Sequence, residues 1–291
     1  MTNEDVSPPP ILPVAGTAPD PAPEPAPAGT IARWRWWVHF LILASFPLSV
    51  GLRGLGHTKS AAKPLLPSSV GGLLLVSAIE LGTFGLIFGL AWAASRATPG
   101  QLLLPWRRGA RPLWLGLLYS VILRVVIMGF LIFGIIVWLV LSRNPQTGGL
   151  NQLRPKTEQL INASSLVGHP LYLILTLTLV SFVVAGLREE LWRAGMFAGM
   201  RGIFPKSFAR LPGRIGAVVL VALVFGLGHT VQGWGAVALT ALLGGGLGAI
   251  MLWHESIWEA TLAHGFFDAS TFAFMFMLTT YQPHWLDNLG A

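Results

Sequence analysis

Three short patterns of ionisable residues lie inside otherwise apolar stretches of this chain. The first is Arg188-Glu189-Glu190-Leu191-Trp192-Arg193. On a helix Arg193 follows Glu189 by four residues and Glu190 by three, so either carboxylate can pair with it and leave the other for different work. The second is Phe225-x-x-x-His229, whose spacing puts a ring and an imidazole on one face near the end of an apolar run. The third is His264-Gly265-Phe266-Phe267-Asp268, where His and Asp share a face and Gly265 leaves room beside the imidazole. Each pattern alone has a plain structural explanation: charges at a helix end, a satisfied core histidine, a His–Asp hydrogen bond that locks two helices. Together they suggest more. Carboxylates and imidazoles on three apolar helices each carry a desolvation cost, and a shared polar site relieves it. One Glu with two His can hold and deprotonate a water, with or without a metal. Asp268 can orient His264 or, when protonated, donate to a developing oxyanion. The set suits hydrolysis.

The elements that must carry these residues follow from composition. Of 291 residues, 53% are hydrophobic and 11% charged, where a typical soluble domain is about 25% charged. This argues against a soluble globule, a disordered chain, a coiled coil and a secreted disulfide scaffold. The absence of cysteine removes disulfides, iron–sulfur clusters, thiolate zinc sites and a Cys nucleophile. What remains is an all-α polytopic membrane bundle. A spanning helix needs about 20 mostly apolar residues, and seven runs qualify: Trp36–Leu52, Val70–Ala94, Leu113–Leu141, Leu171–Met200, Ile215–His229, Ala236–Trp253 and Ile257–Thr279. The third and fourth are long enough to hide a break, so seven to eight transmembrane helices are expected. Glu80 and Arg124 stand at membrane depth without an evident partner in sequence. Gly244, Gly245, Gly246 and Gly248 give the sixth run a face of small residues, suited to close helix packing.

Residues 1–30 differ from the rest. They are rich in Pro and Ala, carry Glu4, Asp5, Asp20 and Glu24, and show no apolar periodicity, which predicts a disordered tail before a transmembrane domain over 31–291. They lack the basic and apolar regions of a signal peptide, so the first helix is expected to stay uncleaved. The net charge of +7 comes mostly from short loops, where it orients helices and meets anionic lipid heads; no basic tract with interleaved aromatics suggests nucleic acid. With the N-terminus inside, one side collects Arg33, Arg35, Arg96, Arg107, Arg108, Arg111, Arg201, Lys206, Arg210 and Arg214, and the other Arg53, Lys59, Lys63, Arg143, Arg154 and Lys156. That bias predicts a cytoplasmic N-terminus. Trp34, Trp36 and Trp37 fit an interfacial aromatic belt.

The ordered trio, a Glu pair followed by Arg, then Phe-x-x-x-His, then His-x-x-x-Asp, resembles the CPBP family, the CAAX prenyl endopeptidases and bacteriocin-processing or immunity proteins also called ABI. The resemblance covers about Leu171–Leu278. It implies a bundle of about eight spans and an intramembrane endopeptidase in the bilayer, acting on a peptide or membrane-protein substrate; a bacterial cytoplasmic membrane is the expected setting. Carried over, Glu189 or Glu190 with His229 activates water, and His264 with Asp268 binds or stabilises the oxyanion. Arg193 is the structural counter-ion and Phe225 a support. The family is described both as glutamate-dependent and as metal-dependent. Glu189, His229 and His264 with a water make a four-ligand zinc set, so a divalent metal such as Zn stays open as cofactor. One departure stands out. The family's usual first motif is Glu-Glu-x-x-x-Arg, whereas here two residues separate Glu190 from Arg193. Alignment on the Glu pair shifts the Arg by one; alignment on Arg193 puts Arg188 at the first Glu. We favour Glu189 as the water-activating residue, with Glu190 close behind.

Two other functions compete. A non-catalytic membrane scaffold or immunity-like protein would keep the cluster for packing, and an ion-coupled transporter would use it as a relay. The absence of an internal repeat weakens the second. His254-Glu255-Ser256-Ile257-Trp258-Glu259 superficially matches a zinc motif but lacks its second His; Ser256 and the acids there are expected to cap the seventh helix.

Overall fold

The computed structural model describes residues 31–56, 64–106, 109–141 and 155–282. The expected tail over 1–30 lies outside them, as do the loop bases Lys59, Lys63, Arg107, Arg108, Arg143 and Arg154. The apolar runs form long helices: α1 (Arg33–Gly56), α2 (Val70–Ser95), α3 (Arg111–Leu141), α4 (Pro170–Ile203), α5 (Leu211–Leu227), α6 (Trp234–His254) and α7 (Trp258–Tyr281). No strand occurs among the described residues. α2, α3, α4 and α6 are long and apolar enough to cross a membrane. α5, with 17 residues, is shorter. The protein is a multi-pass helical membrane bundle.

Local sequence explains the helix ends. Ser69 Oγ accepts the Gly72 N–H at 3.2 Å and starts α2, satisfying one of the free amides of a first turn. Pro170 and Pro212 open α4 and α5, where no N–H is needed. Ile257 is the N-cap of α7 and makes no side-chain cap bond; Ser256, one residue earlier, accepts the Trp258 N–H at 3.2 Å, Glu259 lies in the first turn, and Glu255 instead ends α6.

α3 runs unbroken. α4 changes pitch instead of breaking: Thr176–Leu187 is π-helical, between α-helical ends. Ser181 Oγ donates to the carbonyl five residues back, Thr176 O, at 2.8 Å, and the Arg188 N–H points at Val183 O. Such wide turns are rare and concentrate at functional sites. This one delivers Arg188, Glu189 and Glu190 to the first turn of the α-helix that follows.

Packing is set by small residues. α7 lies against the π-helical stretch and α3, α6 against α5, and α1 against α2 and the end of α4. Gly265 of α7 receives the Phe182 ring, so the room beside His264 is filled by the π-helical stretch. On α6, Gly244 faces Phe225 and the Arg193 guanidinium, Gly246 faces Leu123 and Gly248 faces Phe197. The glycine face thus serves close packing, as expected. Trp34 and Trp37 are exposed, but Trp36 is buried against Gly202 of α4. The expected aromatic belt therefore loses its middle member, which the missing side chain at Gly202 draws into the core.

Candidate active site

The first turn of the α-helical end of α4 and the second and third turns of α7 meet in the core. Glu190 and Arg193, one helical turn apart, form an ion pair with both side chains wholly buried. Arg193 also lies over the Phe225 ring, with Cζ 4.7 Å from its centroid. His264 Nδ1 is 3.0 Å from Glu190 Oε1. An ionised carboxylate only accepts, so Nδ1 carries the donating hydrogen. Glu190 thus serves two neighbours from one oxygen, a structural anchor between α4 and α7.

Glu189 faces differently. Its side chain is 17% exposed where that of Glu190 is fully enclosed. Its Oε1 accepts from Arg188 Nη2 at 2.9 Å, and its Oε2 stands 3.7 Å from His264 Nε2. Asp268 Oδ2 is also 3.7 Å from that nitrogen. Two carboxylates therefore flank one imidazole nitrogen beside the Glu190–Arg193 anchor.

His229 sits just past the end of α5. Its Nδ1 is 3.1 Å from Phe225 O, and its ring meets the Phe225 ring edge-on at 4.9 Å. The backbone carbonyl only accepts, so Nδ1 donates and Nε2 is left with its lone pair. Glu189, His264 and Arg188 are close enough to act on His229 electrostatically. Among the described residues it makes no hydrogen bond or ion pair with the two glutamates or His264. The structure thus brings Glu189, Glu190, His264, Asp268 and Arg193 into direct or near contact. Phe225 forms the wall they share with His229, its ring 6.4 Å from that of His264.

The donor types suit Zn²⁺, but among the described residues no three His, Asp or Glu side chains form a group able to hold a metal ion. As placed, Glu189, His229 and His264 do not make a ligand set: one oxygen of Glu189 is bound by Arg188 and the His229 ring is turned onto Phe225.

Glu80 and Arg124 are not isolated, contrary to expectation. Arg188 Nη1 donates to Glu80 Oε2 at 2.6 Å, so one guanidinium bridges α2 to Glu189. Arg124 Nη2 donates to Phe267 O at 2.6 Å, Ser270 Oγ at 2.6 Å and Thr271 Oγ1 at 3.0 Å on α7. His39, which the sequence patterns did not single out, is fully buried with Nδ1 2.8 Å from Ala91 O and Nε2 3.0 Å from Gly195 O. It ties α1 to α2 and to the helix that carries the glutamates. A lone His, Glu or Arg in an apolar run requires a partner, and that was the available signal.

Residues 171–270 match the family model described as type II CAAX prenyl endopeptidase Rce1-like. The match covers about a third of the chain, 100 of its 291 residues. No curated protein and no solved structure matches the chain. The Rce1-like segment begins with α4 and ends inside α7, so it contains every residue of the three motifs and the glycine face of α6. Glu80, which reaches Arg188 from α2, and Arg124, which reaches α7 from α3, lie outside it.

Proposed function

We propose that the protein is an intramembrane endopeptidase that hydrolyses a peptide bond with a water activated by Glu189. The observation that carries this reading is the division of labour between the paired glutamates. Glu190 is enclosed and held by Arg193 and His264, while Glu189 keeps Oε2 toward His264 Nε2, which Asp268 also approaches. A water there gives a proton to Glu189 and attacks the scissile carbonyl. His229, whose Nε2 keeps its lone pair, assists by accepting a hydrogen bond from the water, and Glu189 then passes the proton it took to the leaving amine. His264 in its protonated form offers Nε2–H to the oxyanion, and Asp268 orients it. Arg188 holds Glu189 in place from Oε1. The Rce1-like segment supports the reaction class, since its family is one of proteases. We further assign the N-terminus to the cytoplasmic side of the membrane from the loop charges.

The experiment is cleavage of a quenched-fluorescent library of apolar peptides by the full chain in detergent. Wild type is expected to cleave members of the library, with a rate unchanged by a chelator. A loss restored by added Zn²⁺ would contradict the metal-free route and require Glu189, His229 and His264 to close together as ligands. No cleavage of any peptide would favour the scaffold reading.

A further inference from the structure

A second site lies on α7 away from the glutamates. A cavity of about 470 Å³ opens between α3, the π-helical stretch and α7, with walls that include Leu117, Val121, Leu177, Phe266 and Ala273. Its surface is overwhelmingly apolar, and its one charged lining residue is Arg124. Leu117 and Val121 are exposed on the outer face of α3, so the cavity opens where lipid would lie. The residues of α7 that line it, Phe266, Ala269, Ser270 and Ala273, fall on the side of the helix opposite His264 by helical phase.

Arg124 is only half satisfied. All of its hydrogen bonds are made by Nη2, and among the described residues Nε and Nη1 have no hydrogen-bond partner. Its guanidinium also covers the Phe267 ring at 4.3 Å. It stands thirteen residues into α3, about 20 Å along the helix, in a bilayer whose hydrocarbon core is about 30 Å thick. Asp268 is near enough to act on it electrostatically but forms no ion pair with it among the described residues, and a cation with free donors at that depth is costly unless an anion meets it.

We propose that this cavity binds a single-chain carboxylate amphiphile from the membrane, a free fatty acid, with one carboxylate oxygen on Arg124 Nη1 and its chain along the α3–α7 wall. A charged N–H donor without a partner matches a carboxylate oxygen, and such a charge-assisted bond is about twice as strong as a neutral one. The volume suits one chain rather than the two of a phospholipid, and a large hydrated phosphate head would pay far more than a carboxylate to reach this depth. Because the cavity wall and His264 share α7, occupancy is positioned to steady the helix that carries the site.

The test is titration of oleate, methyl oleate and dioleoylphosphatidylglycerol onto the full chain in non-ionic detergent, with binding read by native mass spectrometry. Oleate is expected to bind wild type about tenfold or more tightly than its uncharged ester, as charged hydrogen bonds require. Arg124→Gln and Ala273→Phe, which fills the apolar wall and leaves Arg124 in place, should each weaken oleate by a similar factor. Equal binding of acid and ester, oleate binding that survives Ala273→Phe, or Arg124-dependent binding of the phospholipid alone would overturn the proposal. Should Arg124→Gln fail to fold, the acid–ester pair and Ala273→Phe decide it.

Discussion

Glu189 and Glu190 are neighbours in sequence, yet their surroundings give them different work. Glu190 is wholly buried against Arg193 and donated to by His264. Removing its charge leaves a buried guanidinium unpaired, which costs about 3–5 kcal/mol. Glu190→Gln is therefore expected to lower the thermal unfolding midpoint in detergent markedly. Glu189 is partly exposed and paired with Arg188, so its neutral replacement should leave that midpoint nearly unchanged. An equal loss of stability in both variants would show that the two share one structural role. The sequence left open which glutamate pairs with Arg193, because spacings of three and four both face it. Only the phase delivered by the π-helical stretch decides, and nothing in Thr176–Leu187 announces i→i+5 bonding beyond hydroxyls able to reach back along the helix.

At the scale of the elements, the site depends on how closely α4 and α7 approach. Gly265 lets the Phe182 ring rest on the α7 backbone, beside His264. A larger side chain there overpacks the contact, and Gly265→Val is expected to cost about 1–3 kcal/mol and to lower peptide cleavage as His264 moves from Glu190. Measurement of both unfolding and cleavage checks this; unchanged values would mean that the helices do not meet through this residue. The apolar runs predicted the helices to within about a turn, since length and hydropathy dominate in a membrane. What they did not reveal were partners across helices: Glu80 with Arg188, Arg124 with α7, His39 with α2 and α4. Such pairs depend on which helices are neighbours, and hydropathy carries no information about that.

Across the whole molecule, the Rce1-like segment and the first three helices divide the structure unequally. The segment holds the motifs; α1, α2 and α3 hold them in place through His39, Glu80 and Arg124. The loop charges predict that a reporter fused at the N-terminus is accessible only from the cytoplasmic side. Accessibility from the opposite side would invert the bundle and the side from which a substrate's polar flank approaches.

Peptide hydrolysis by this protein requires Glu189 as the base. The most direct test is the cleavage rate of Glu189→Gln beside wild type, in the same detergent and with the unfolding midpoint measured on the same sample. General-base catalysis contributes about 10²–10⁴-fold, so a loss of that size with the midpoint unmoved is the predicted result. Wild-type cleavage by the Gln variant would contradict it.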